Sequence, residues 1–148
     1  MKGIESLFSS TVKEKEVFFF ATEKIFTEDP HFFICVKKTE SEVLLFTCCT
    51  SQGGKREDYL NRKGVSLKTL VYIKPVKGLP FTKDTFVDCN KCFQYTMEEF
   101  KKMCEEGTMQ YKGEISPEYY EQIIVGLLES PEIDQEVKNK LPDPSDIE

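Results

Sequence analysis

A succession of short runs rich in aromatic and β-branched residues constrains the fold more than any other feature of the chain. They are EVFFFAT (16–22), HFFICVKK (31–38), EVLLFTCC (42–49), KTLVYIK (68–74) and TFVDC (85–89), with KCFQY (91–95) as a sixth candidate. Each has strand length, and their residue types favour strands over buried helices. Turn-forming stretches separate them: TEDP at 27–30, KTES at 38–41, SQGGKREDYLNRKG at 51–64 and KGLP at 77–80. Five or six such strands in sequence predict a small antiparallel barrel or sandwich, with 51–64 as a connecting loop.

After Tyr95 the apolar period changes. Thr96-x-x-Glu99 has the capping-box pattern, Met97, Phe100, Met103 and Cys104 share one helical face, and Gly107 stops the run. Ser116-Pro117 then provides an N-cap with proline at the first helical position. Behind it Tyr120, Ile123, Ile124, Leu127 and Leu128 form an apolar stripe. Ser130-Pro131 repeats the start signal for a shorter helix ending near Leu141, and PDPSDIE is expected to be a frayed acidic tail. Amphipathic helices this short need the sheet, or another copy of the chain, to cover their stripes. The expected architecture is α+β and a single domain over 1–148: a β-barrel over about 16–95, helices over 96–141 and a tail over 142–148. A chain of 148 residues can bury such a core without staples.

Several function classes are disfavoured at this point. No apolar run exceeds about eight residues, against roughly 20 for a membrane-spanning helix, and MKGIESLFSSTVKEKE lacks a signal-peptide core. A cytoplasmic location is expected. The six cysteines lie mostly in strand-like stretches, where a reduced thiol acts as a small hydrophobe. Cys89 and Cys92 have C-x-x-C spacing, but one histidine and no second pair leave a zinc site short of ligands, so no metal or cofactor is expected. A thiol switch at that pair is a further reading. The net charge of -6 is uneven: 15 Lys+Arg against 12 Asp+Glu up to Tyr95, and 5 against 14 beyond it, or +3 and -9. A polyanion would therefore meet the strand-rich part, unless the acidic helix faces are merely solvated.

The candidate chemistry lies at strand ends. Thr50, Ser51 and Gln52 stand where EVLLFTCC leaves the sheet, and Gly53-Gly54 exposes backbone amides before Lys55 and Arg56. Hydroxyls, an amide, bare N–H groups and cations suit a phosphodiester, and they equally suit a plain loop. The spacing is not that of a P-loop, and no G-x-S-x-G or H-E-x-x-H pattern occurs. His31, the one histidine, opens a strand and is a candidate proton shuttle or an ordinary strand-start residue. Lys83 and Asp84 precede another strand, as RNA-orienting groups or as a solvated turn.

The order DPHFFICV, VLLFTCCTSQ, LPFTKDTFVDCNKCF, a Gly-bounded helix and ISPEYYEQIIVGLLESPEIDQEVKNKL resembles the PemK/MazF-like toxin family over about Glu16 to Leu141. The resemblance implies a small SH3-like β-barrel with C-terminal helices. It also implies a homodimer that cleaves single-stranded RNA without a metal, partnered by an antitoxin protein. The family's Thr/Ser-Thr/Ser-polar motif matches Thr50, Ser51 and Gln52. With His31 these make a catalytic set of His31, Thr50 and Ser51, and an RNA-binding set of Gln52, Lys55, Arg56, Lys83 and Asp84. The family's Gly-His-Arg-Pro lead-in corresponds to PHFF, where Phe32 replaces the arginine. Phe can neither donate a proton nor stabilise a phosphorane. Lys37, Lys38, Lys55 or Arg56 would have to supply a cation. The competing reading is a catalytically inactive barrel that binds protein or RNA.

Overall fold

In the central strands apolar side chains lie on both sides of the sheet, and both sides are covered there. The computed structural model describes residues 12–22, 24, 29–77, 80–107 and 109–147. The N-terminal segment before Val12 and parts of the TEDP and KGLP turns lie outside these. The strands are β1 (Glu16–Phe20), β2 (His31–Lys38), β3 (Val43–Thr50), β4 (Leu70–Ile73), β5 (Thr85–Thr96) and β6 (Gln110–Glu114). They form one antiparallel sheet in the order β4-β5-β3-β2-β1-β6. The sheet is curled and open, with β4 and β6 as its edges. Register shifts interrupt the pairs β1–β6, β2–β3 and β3–β5, and such bulges increase local twist and bend a sheet.

The helices are α1 (Gly53–Lys63), α2 (Met97–Glu105), α3 (Pro117–Glu129) and the short α4 (Gln135–Lys138). On one face Tyr120, Ile123, Ile124 and Leu127 of α3 pack on Val17, Ile34, Val36, Leu45, Val87 and Cys89. On the other, Phe100 and Cys104 of α2 pack on Phe18, Phe20, Phe33, Leu44 and Phe46, with Met97 and Met103 at the margin. This second face is largely aromatic: Phe46 stacks on Phe100 at 5.5 Å, and Phe18 meets Phe100 edge-on at 5.1 Å. The capping box forms as the sequence predicts. Thr96 Oγ1 accepts from Glu99 N at 3.0 Å, and Glu99 Oε1 accepts from Thr96 N at 2.8 Å. Those hydrogen bonds, the backbone one first, hold the Glu99 carboxyl below its ordinary range. On the other side of the sheet Tyr120 Oη donates to the carbonyl of Val36 at 2.6 Å, satisfying a polar group at the β2 bulge.

Several expectations need correction. The 51–64 loop is mostly helix. Lys, Arg, Glu and Leu supply propensity, and Gly64 closes α1 in the left-handed conformation at φ 71°. With Leu60 as its one buried large side chain, α1 has no apolar stripe to announce it. The helices therefore do not all follow the strands. TFVDC and KCFQY are one strand, β5, whose register against β3 jumps from Asp88 to Phe93 as β3 advances only from Cys48 to Phe46. KTLVYIK shortens to β4 behind a 3-10 turn at Leu67–Thr69. The polar strand β6 carried no hydrophobic signal. The helix expected from Ser130-Pro131 starts instead after Asp134, since Ser130 is the C-cap of α3 and a turn follows it. Pro144–Asp146 forms a 3-10 turn with Ile147 packed on the core, so that part of the tail is not frayed.

Two consequences are measurable. A Cβ at Gly126 in α3 would stand 2.7 Å from the carbonyl oxygen of Lys68 and 2.8 Å from Cys89 Sγ. Alanine would gain up to about 1 kcal/mol in helix propensity, but the backbone oxygen cannot yield as a flexible side chain would. Gly126→Ala is expected to lower stability by a net of about 1–2 kcal/mol, read from the urea midpoint.

Glu16 is only 7% exposed, and its Oε1 accepts from Lys13 N at 2.8 Å. Burial raises its carboxyl, aided by Glu114 and Glu14 and opposed by the Lys13 amide and charge. A carboxyl raised on folding binds its proton more tightly in the folded state, so stability falls as pH rises through the folded value. Glu16→Gln keeps an acceptor for Lys13 and removes that loss. The variant is expected to be the more stable above the folded carboxyl's raised range, with the advantage fading as pH falls through the ordinary glutamate range, in denaturation at several pH values.

Candidate functional site

Antiparallel pairing brings the start of β2, the end of β3 and the start of β5 to one end of the sheet. A cavity of about 670 Å³ opens there. Its apolar wall is Phe19, Phe32, Cys49 and Phe81, and its polar lining includes Asp29, His31, Thr50, Ser51, Gln52, Thr82, Lys83, Asp84 and Thr85. Six of the eight predicted site residues, His31, Thr50, Ser51, Gln52, Lys83 and Asp84, thus share one cavity although they come from three separate stretches of chain.

Local bonds set the geometry. His31 Nδ1 lies 2.9 Å from the carbonyl oxygen of Asp29. A carbonyl only accepts, so Nδ1 carries the hydrogen, and in the neutral ring Nε2 is left as the basic nitrogen. Thr50 Oγ1 accepts from Gln52 N at 3.0 Å, which turns the chain out of β3 and leaves the threonine hydrogen available to donate. Thr85 Oγ1 donates to the carbonyl of Lys83 at 3.0 Å, bracing the turn that carries Lys83 and Asp84. Tyr72 Oη donates to Asp84 Oδ1 at 2.8 Å, and this bond to the carboxylate, first among the causes, pushes the phenol up. Phe32 is packed between Phe19 at 4.8 Å and Phe81 at 5.0 Å. Phe32 therefore supplies apolar wall to the cavity.

Lys55 and Arg56 are not part of the cavity lining. Lys55 lies with Asp58, Asn61 and Arg62 along the outside of α1. Arg56 turns the other way, its Nε 2.8 Å from Oδ2 of Asp88, which is 4% exposed. The contact is a close ion pair rather than an aligned hydrogen bond. Arg56 also covers the Tyr59 ring at 4.5 Å. Around Asp88 a polar network is closed: Oδ1 accepts from Asn90 N at 3.0 Å and from Asn90 Nδ2 at 3.1 Å. Asn90 Nδ2 also donates to Thr69 Oγ1 at 2.9 Å, Ser130 Oγ donates to Asn90 Oδ1 at 2.6 Å, and Thr47 Oγ1 donates to the Asp88 carbonyl at 2.9 Å. Lys37 and Lys38, at the opposite end of β2 from His31, do not line the cavity.

The Cys89/Cys92 pair belongs to the core. All six cysteines are free, and burial pushes the Cys89 thiol up and the Cys92 thiol up to about 12. Thiolate is scarce at neutral pH in such surroundings, which disfavours a fast thiol switch. Among the described residues no group of three or more His, Cys, Asp or Glu side chains is arranged to hold a metal, and no helix is long and apolar enough to cross a membrane.

Sequence reasoning missed Phe19, Asp29, Phe81 and Tyr72 as neighbours of the site. Asp29 and Phe81 flank residues that were singled out, so nearness along the chain was the usable signal. Phe19 and Tyr72 needed the register. Neither a family model nor a curated protein matches this sequence.

The separate positions of Lys55 and Arg56 on α1 lead to separate effects. Removing one partner of a buried ion pair costs about 3–5 kcal/mol, and Arg56 is partly exposed. Arg56→Met is expected to lose about 2 kcal/mol in urea denaturation, whereas Lys55→Met stays within about 0.5 kcal/mol of the parent.

Proposed function

We propose that the chain is a PemK/MazF-like protein of toxin–antitoxin type that binds single-stranded RNA over the cavity at the sheet end and cleaves it without a metal. The convergence of His31, Thr50, Ser51 and Lys83 on one cavity carries this reading. The curled antiparallel sheet with helices is compatible with the SH3-like barrel that the resemblance implies. A homodimer, an antitoxin protein and a cytoplasmic setting go with the same reading.

The chemistry uses the 2′-hydroxyl of the RNA. His31 Nε2 takes its proton, the 2′-oxygen bonds to phosphorus, and the bond to the 5′-oxygen breaks. The imidazolium returns its proton to the departing oxygen, leaving a 2′,3′-cyclic phosphate and a 5′-hydroxyl. Thr50 and Ser51 hydroxyls donate to the non-bridging oxygens, and the Lys83 ammonium offsets the charge that grows on them. Gln52 and Asp84 orient the flanking nucleotides.

A second reading, a non-catalytic binding module, draws on Phe32, whose ring sits between Phe19 and Phe81 where the family has a charged donor. Incubation of long single-stranded RNA with the protein in EDTA separates the two. The nuclease reading expects cyclic-phosphate ends and a loss of at least about 100-fold in His31→Ala, with Ser51→Ala also impaired. Intact RNA that is nonetheless bound leaves the module. Cleavage unchanged in both variants removes the roles given to His31 and Ser51.

A further inference from the structure

A row of side chains crosses three strands at the margin of the cavity: Thr50 on β3 faces Phe86 on β5, and Phe86 faces Tyr72 on β4. Residues directly opposite in antiparallel pairs project from the same face. Phe86 is seated against the backbone of Gly53 at the start of α1, where a Cβ would run into the ring. The Tyr72 ring lies 5.2 Å from Phe86 at an interplanar angle of 37°. Its hydroxyl is tied to Asp84, which lines the cavity. Despite these two anchors Tyr72 remains 44% exposed.

A singly exposed tyrosine is ordinary. This one is held by the neighbouring Phe86 ring and by its hydroxyl bond to Asp84, so little rotamer freedom is left to lose when a ligand covers it. Phe32 lacks that openness, since other rings flank it on both sides. We infer that Tyr72, backed by Phe86, is a base-stacking subsite for the nucleotide next to the phosphodiester held in the cavity. The inference rests on the RNA reading above and adds a position that contacts base rather than phosphate. Every base has a π-face, so stacking here strengthens binding without selecting sequence. Asp84 serves both sites: it borders the cavity and holds the ring that stacks.

The test is binding of a short mixed-sequence single-stranded RNA carrying 2-aminopurine, in EDTA, to the full chain and to Tyr72→Ala, Tyr72→Leu and Tyr72→Phe. The parent is expected to bind and quench the fluorescent base. Tyr72→Ala and Tyr72→Leu should weaken binding by about 5- to 100-fold and lose the quench, while Tyr72→Phe keeps both. Unchanged affinity and quench in Tyr72→Ala overturns the inference and leaves the RNA reading standing. So does a Tyr72→Phe as weak as Tyr72→Ala, because the hydroxyl bond to Asp84 would then be the active feature. No binding by the parent overturns the RNA reading and this inference together.

Discussion

The carboxylate of Asp88, buried in the middle of β5, is the constraint on which the arrangement at this end of the molecule depends. A charge at such depth persists only with a cation and hydrogen bonds around it. Arg56 and Asn90 supply them, and Asn90 extends the links to Thr69 and Ser130. One acidic side chain therefore ties α1, β5, the 3-10 turn before β4 and the end of α3 into a single network. Since α1 begins three residues after the end of β3, fixing Arg56 also fixes the turn that holds Thr50, Ser51 and Gln52. Specificity of placement is the better account of this network than net stability, because buried ion pairs recover little more than their desolvation cost.

The sheet itself is organised by having both faces dry. Strands in a sheet with one wet face alternate polar and apolar residues, whereas VFFF, FFICV and VLLF run continuously apolar. Here the continuity has a direct cause: α3 covers one face and α2 the other. The two covers differ in chemistry. The α3 side is mostly aliphatic, and the α2 side is a cluster of rings in stacked and edge-on pairs. Bulges at three strand pairs let so hydrophobic a sheet curl over its helices.

Legibility in the sequence follows the range of the forces involved. The capping box at Thr96 and the stripe from Tyr120 to Leu127 are local, and both form as read. The helix α1 was opaque because it is held by tertiary contacts, the ion pair from Arg56 and the burial of Leu60, rather than by an amphipathic period. Ser130 misled for a related reason. It has the residue type of an N-cap, yet it closes α3 as its C-cap, and its hydroxyl bonds to Asn90 and Glu132 N hold a turn before the next helix. The cavity was legible from one rule, that polar residues at the ends of neighbouring antiparallel strands come together. Tyr72 and Phe86 were not, since only the register reveals that they share a row with Thr50.

The charge of the cavity bears on how any RNA would be held. Lys83 and His31 are accompanied by the carboxylates of Asp29 and Asp84. Such a lining has no large positive field, and a phosphodiester in it depends on short-range donors such as Thr50 and Ser51. Few neutralised phosphates mean few released counterions, and the salt dependence of binding scales with that number. Affinity must then come from contacts that salt does not screen, of which stacking on an exposed ring is the strongest type within reach of the site. The apolar packing of Phe32 between Phe19 and Phe81 points the same way, because this position supplies no charge to the cavity. A missing transition-state donor costs about 10²- to 10³-fold in rate. On the RNA reading proposed above, a site of this composition is better built to grip a strand than to turn it over quickly.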